Sequence, residues 1–197
     1  MYKKQLAFQK AVCLTGILVA ALSFVYSLGI ITDIYDSLYS TMMNPNDLTQ
    51  TFVPGSIIYY DMQGFNKTFL YLSIGLILAA AFLFVSNTNI RRKYYISNYI
   101  ATAIYAVATV GVAVWSHLQI AAFKIQYLTT VDFEALKAFS ELWGKPYIES
   151  TFWFDLHFLV GGIAIASAVV LVYNAIWKTQ MMRAEAALLE GGKEVAA

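Results

Sequence analysis

The chain has 197 residues, of which 59% are hydrophobic and only 13% are charged, with a formal net charge of +1. Soluble domains carry roughly a quarter of charged residues, so this composition argues against an ordinary soluble domain. No nucleic-acid partner is expected for such a chain. The single cysteine, Cys13, excludes an internal disulfide.

Four long stretches without charge dominate the sequence, and their approximate limits are 11–31, 68–85, 99–123 and 152–177. Uncharged stretches of this length are typical of membrane spans. Backbone groups in lipid must pair within their own segment, which favours helices. The sequence therefore predicts an all-α integral membrane protein, a four-transmembrane-helix bundle forming one membrane domain over residues 1–197. The first span is expected to be an uncleaved anchor rather than a signal peptide.

The charges between the spans predict the orientation. With the N-terminus inside, the inner segments carry nine Lys or Arg residues and three acids (+6), and the outer segments carry four Lys and nine acids (−5). The excess of basic residues on one side predicts that both termini are cytoplasmic. The short inner connection SNTNIRRKYYISN predicts that helices two and three are antiparallel neighbours.

The first outer segment, residues 35–67, is long enough to hold structure of its own. Apolar residues at helical spacing up to Met43 predict that helix one projects beyond the bilayer, and Asn44-Pro45-Asn46 is expected to stop it. Pro54-Gly55 predicts a turn. An extended stretch is expected from Ile57 to Tyr60.

The second outer segment, residues 124–151, contains a short amphipathic helix in TTVDFEALKAFSELWGKP. Thr129 or Thr130 is expected to cap this helix, and Gly144 with Pro146 to end it. Its apolar side chains are expected to lie on the membrane surface, to cover the bundle or to bind a partner. These candidate partner-binding residues are Phe133, Leu136, Phe139, Leu142 and Trp143.

The C-terminal tail, residues 178–197, is predicted to continue helix four as an amphipathic cytoplasmic helix. Such a helix would lie on the membrane surface or bind a partner.

The two histidines, His117 and His157, share a predicted depth. Each lies five or six residues from the outer end of its span, or roughly 7–9 Å below the interface. Small residues recur on the helical stripe of each one, so we expect the histidines to face one another between helices three and four. Ser116, Gln119 or Asp155 would complete the pocket, although Asp155 points about 200° away from His157 around its helix.

Three interpretations of this pair remain open. In the first, the residues are structural, with Asp155 stabilising the first turn of helix four. In the second, His117 and His157 are the axial ligands of a haem b. In the third, Asp155 and a titrating histidine form an ion or proton site.

The functions that follow are of different classes. The first is a non-catalytic subunit or accessory protein of a larger membrane complex, without a cofactor, in a bacterial cytoplasmic membrane. It is favoured because the middle of every predicted span lacks charge and apolar surface lies outside the spans. The alternatives are a haem-bearing redox subunit and an oligomeric cation channel or transporter component. No enzymatic activity is expected. The expected partners are the lipid bilayer and either other membrane subunits or further copies of the chain.

Overall fold

The computed structural model describes residues 2–44, 47–87 and 96–194, and 86% of these residues are helical. The elements in chain order are α1 (Tyr2–Tyr39), β1 (Met42–Asn44), β2 (Asp47–Thr51), α2 (Ile58–Asn87), α3 (Ile96–Thr130), α4 (Phe133–Trp143) and α5 (Phe152–Glu194).

Four of these helices are long and apolar enough to cross a membrane, which confirms the number and the approximate positions of the predicted spans. The candidate spans are Lys3–Ile30, Ile58–Asn87, Ile96–Thr130 and Phe152–Leu189. Each helix extends beyond its charge-free stretch. α5 is the longest, with 43 residues, or about 64 Å at about 1.5 Å per residue. It continues past Lys178 because the sequence that follows is rich in good helix formers.

The first predicted outer segment differs from expectation, because it contains a short β-hairpin in an otherwise mostly helical chain. β1 and β2 pair antiparallel, with Met42 opposite Thr51 and Asn44 opposite Asp47. α1 ends at Tyr39, before the predicted stop. Apolar residues three and four apart fit a helix, but two consecutive methionines followed by turn-forming residues also fit a hairpin. Pro45 and Asn46 themselves lie outside the described residues.

The start of α2 corrects a second prediction. The stretch expected to be extended, Ile57 to Tyr60, instead enters the first turn of α2, which begins at Ile58. The predicted turn before it is confirmed, with Gly55 at a φ of 80°. A Cβ at Gly55 would lie 1.9 Å from the carbonyl oxygen of Thr130, so this position requires glycine.

α4 is capped differently from the prediction. Its N-cap is Asp132, whose side chain accepts a hydrogen bond from the backbone N–H of Ala135 at 2.9 Å. Thr129 and Thr130 instead donate to carbonyls of α3, which still continues through these residues. The predicted end at Gly144 is confirmed, with the left-handed backbone typical of a helix terminus.

The described residues form two compact units. The first contains the described parts of Met1–Ala20, Leu76–Gly111 and Ile163–Ala197. Polar side chains pair inside it: the amide of Gln5 donates to Gln9 at 3.0 Å and to Asn174 at 3.1 Å. The hydroxyl of Tyr105 donates to the carbonyl of Gly16 at 3.0 Å. These bonds satisfy polar groups that would otherwise be buried unpaired.

The second unit contains Ala21–Gly75 and Val112–Gly162. Large apolar and aromatic side chains fill it, including Ile30, Phe65, Phe69, Ile120, Tyr127 and Phe154. The hydroxyl of Tyr127 donates to the carbonyl of Ile148 at 2.9 Å. The backbone N–H of Asp132 donates to the carbonyl of Pro54 at 3.1 Å, which joins the start of α4 to the turn before α2.

The predicted inner connection between helices two and three falls largely on residues 88–95, which lie outside the described residues. The basic residues on which the predicted orientation partly depends are among them: Arg91, Arg92 and Lys93.

Candidate functional site

The interior of the second unit holds a buried histidine. His157 lies on α5 between Leu156 and Phe158, and only 1% of its surface is exposed. Its Nε2 lies 3.0 Å from the Oγ of Ser116 on α3. This contact confirms the expectation that Ser116 belongs to the pocket of His157.

The contact with Ser116 involves one nitrogen of the imidazole and leaves Nδ1 to be accounted for. The hydroxyl of Ser116 also lies 3.1 Å from the carbonyl of Ala113. Its single hydrogen serves one of these two acceptors at a time, so the tautomer of His157 sets which group donates in the bond between Ser116 and Nε2. Among the described residues, none pairs with Nδ1. A buried polar group left unpaired typically costs about 1–3 kcal/mol.

Aromatic rings enclose the imidazole. Their centroids lie 5.1, 5.5 and 6.4 Å from that of His157, and the residues are Tyr26, Phe69 and Phe158. The hydroxyl of Tyr26 donates to the carbonyl of Trp153 at 2.9 Å, which fixes the tyrosine ring against the histidine. Trp153 in turn packs on Gly29, where a Cβ would lie 2.8 Å from the indole. The wall around the imidazole is therefore held from both α1 and α5.

His117 does not face His157 across a shared pocket, contrary to the expectation. It is exposed, and its ring lies 4.8 Å from that of Phe158. The ring of Phe158 thus contacts both histidines. The stripe of small residues on α3 is buried as predicted, but Ser116 continues it inward and His117 points away.

Asp155 pairs with a cation instead of a histidine. Its carboxylate lies 2.5 Å from the ammonium of Lys124, with 51% and 27% of the two side chains exposed. Its second oxygen accepts from the hydroxyl of Thr151 at 2.9 Å. Water screens an ion pair this exposed, so it joins the ends of α3 and α5 only weakly.

The arrangement limits the chemistry of these residues. Two axial imidazoles must point their nitrogens at one iron from opposite sides. Here the Nε2 of His157 is used by Ser116, and His117 lies beyond Phe158 on an exposed surface. In the part of the chain that is described, no group of three or more His, Cys, Asp or Glu side chains could hold a metal ion.

The five predicted partner-binding residues of α4 fall into two groups. Leu136 is fully buried, so it packs inside the unit and is not available to a partner. Phe133 and Phe139 are partly buried against the same core. Leu142 and Trp143 are 77% and 62% exposed.

Sequence reasoning missed the aromatic neighbours of His157. The stripes of small residues pointed to predicted helices three and four, which are α3 and α5, whereas Tyr26 and Phe69 come from α1 and α2. The sequence did contain one indication of the face that α2 buries: Asn66, Phe69 and Ser73 follow one another at helical spacing. All three are buried in the structure.

Comparison with known proteins gives this chain no relative: no family model matches it, and neither does any curated protein or solved structure.

Proposed function

We propose that this chain is a non-catalytic integral membrane subunit of a larger membrane protein complex. It would span a bacterial cytoplasmic membrane four times as a bundle that forms a single membrane domain, with both termini in the cytoplasm. The observation that carries the proposal is the exposed apolar end of α4, which lies outside all four candidate spans.

The apolar end of α4, formed by Phe139, Leu142 and Trp143, is here named the α4 patch. Phe139 stacks on Phe52 at a centroid distance of 5.7 Å, and 58% of Phe52 is itself exposed. Phe139 also contacts Trp143 at 6.4 Å. Apolar surface of this kind, with aromatic residues at its centre, is typical of protein interfaces.

The α4 patch lies on a helix that is capped at both ends and packed against the core. Leu136 is buried below it, Asp132 caps the start of the helix, and Gly144 ends it. A surface that is ordered before binding loses less conformational entropy when a partner docks. This supports a protein partner in preference to loose contact with lipid.

Within this proposal, His157 is a structural residue. Its hydrogen bond to Ser116 and the rings around it connect all four candidate spans in the second unit, through Tyr26, Phe69, Ser116 and His157 itself. Polar contacts between apolar helices specify how the helices pack.

The test is purification of the chain from its own membranes in mild detergent, followed by native mass spectrometry. We expect a particle that contains other protein subunits. The double substitution Leu142→Ser with Trp143→Ser should release them, because it removes only exposed apolar surface. Glu141→Ser is the matched control on the same helix, and it should retain the partner.

Two results would contradict the proposal. One is a homo-oligomer that conducts cations in liposomes containing only this chain. The other is a haem absorption band that disappears in both His117→Ala and His157→Ala. Haem has the weaker support, because the Nε2 of His157 lies 3.0 Å from Ser116.

A further inference from the structure

A groove of about 650 Å³ lies in the second unit, between the first three turns of α2 and residues 115–123 of α3. Aromatic rings form its floor, with Phe65 lying 5.2 Å from Trp115 and 5.6 Å from Phe123. The more polar side chains that line it are Tyr60, Asp61, Gln63, Lys67, Thr68 and Gln119. The volume falls within the range of about 300–1,000 Å³ that is usual for small-molecule sites.

The groove lies where both helices become apolar. α2 contains no charged residue from Thr68 to its end, and α3 contains no Asp, Glu, Lys or Arg until Lys124, directly after Phe123. Along α2 the groove leads to Tyr71 and Leu72, which are 61% and 38% exposed. Aromatic residues at the end of an apolar span are typical of the membrane interface. A ligand here would therefore contact both water and hydrocarbon.

The charges on α2 follow a definite order. Lys67 directly precedes the apolar stretch, and Asp61 lies six residues further from it, or about 9 Å along the helix. In a phospholipid with an amine headgroup, the acyl chains are followed by the phosphate and then by the ammonium. The order of apolar surface, cation and anion along the groove is complementary to that sequence of groups.

We propose that this groove binds a zwitterionic phospholipid with a phosphoethanolamine headgroup. Lys67 and Thr68 bind the phosphate, Asp61 binds the ammonium, and the half-buried ring of Trp115 offers a face for the same cation. The acyl chains run over Tyr71 and Leu72. The inference rests on the chain's spanning a membrane and does not depend on a protein partner.

A substitution at Gly64 can test whether a ligand occupies the groove. It lines the groove, and a Cβ at this position would meet nothing within 4 Å. The Cβ of Gly64→Phe therefore has open space, we expect its ring to occupy the groove, and replacing glycine favours the helix. Gly75 lies on the same helix, is equally open and does not line the groove. Gly75→Phe is thus the matched control.

The experiment uses the delipidated full chain in detergent, with native mass spectrometry during titration with phosphatidylethanolamine or phosphatidylglycerol of identical chains. We expect a one-to-one adduct with phosphatidylethanolamine that forms at least tenfold more tightly than with phosphatidylglycerol. Gly64→Phe should abolish the adduct, and Gly75→Phe should leave it unchanged. Asp61→Asn should remove the preference between the lipids, and Lys67→Gln should weaken both.

Three results would overturn the proposal. The first two are equal binding of the two lipids by the unsubstituted chain and equal adducts in the two glycine variants. The third is binding of water-soluble phosphoethanolamine as tight as that of phosphatidylethanolamine, which would indicate a soluble ligand. Melting temperatures and helix content of every variant, measured in the same detergent, separate lost binding from lost folding. Because no partner is present, the result is independent of the subunit proposal.

Discussion

At the scale of single residues, the bond between His157 and Ser116 is the feature most open to test. Ser116→Ala removes the hydrogen-bond partner of Nε2, since the serine oxygen lies 3.0 Å away and the imidazole is 1% exposed. An unsatisfied buried polar group costs about 1–3 kcal/mol. At about 2–4 °C per kcal/mol for a chain of this size, we expect the melting temperature in detergent to fall by about 2–12 °C.

A second buried serine provides the control for that experiment. Ser73 is also fully buried, but its hydroxyl donates only to the carbonyl of Phe69 on its own helix, at 2.8 Å. Ser73→Ala leaves no side chain without its partner, so it should lower the melting temperature less than Ser116→Ala. Equal losses for the two variants would mean that the histidine does not depend on the serine.

At the scale of elements, two glycines with left-handed backbones end or join helices, and they differ in their surroundings. Gly144 has a φ of 61° and open space around it, whereas a Cβ at Gly55 would lie 1.9 Å from a backbone carbonyl. Gly144→Ala should cost only the conformational penalty, about 1–2 kcal/mol. Gly55→Ala adds a steric overlap, which typically costs about 1–3 kcal/mol more.

Thermal unfolding of the two glycine variants measures this difference. We expect Gly55→Ala to melt below Gly144→Ala by about 2–12 °C, again at about 2–4 °C per kcal/mol. The physical reason is that the turn before α2 cannot move away without breaking the bond between the N–H of Asp132 and the carbonyl of Pro54. Equal melting temperatures would show that the turn and the start of α4 separate freely.

At the scale of the whole molecule, the four apolar helices were predictable because lipid excludes charge and each span must satisfy its own backbone. Their ends were not. α2 begins at Ile58 although Asp61 and Lys67 interrupt the apolar pattern, because charged side chains do not prevent the backbone from forming a helix. The hairpin was missed because Met42 and Met43 fit a helical stripe as well as a strand.

The direction in which the side chains of the candidate site point was not predictable from the sequence. Positions three and four residues after Ala113 both continue its helical stripe, and these are Ser116 and His117. Spacing alone therefore leaves the choice between them open. Packing decides it: the small serine is buried against His157, and His117 is exposed beside Phe158. The aromatic neighbours of His157 on α1 and α2 are distant from it in the sequence. The local spacing of residues does not predict such contacts.

The orientation in the membrane is the last prediction, and it rests on charge. The excess of Lys and Arg in the predicted inner segments predicts that both termini lie in the cytoplasm. The chain suits cysteine labelling, because its one native cysteine, Cys13, is only 2% exposed. Lys145→Cys and Leu188→Cys each place a thiol at an exposed position, in the segment before α5 and in its C-terminal part, respectively.

In intact cells, a membrane-impermeant maleimide should label Lys145→Cys and leave Leu188→Cys unlabelled. In inverted membrane vesicles the pattern should reverse, because the cytoplasmic face is then accessible. The unsubstituted chain should stay unlabelled in both preparations and so reports any reaction at Cys13. Labelling of both variants from the same side would contradict a single membrane crossing by α5 between the two positions. The opposite pattern would place the termini outside and would show that the distribution of Lys and Arg does not predict the orientation of this chain.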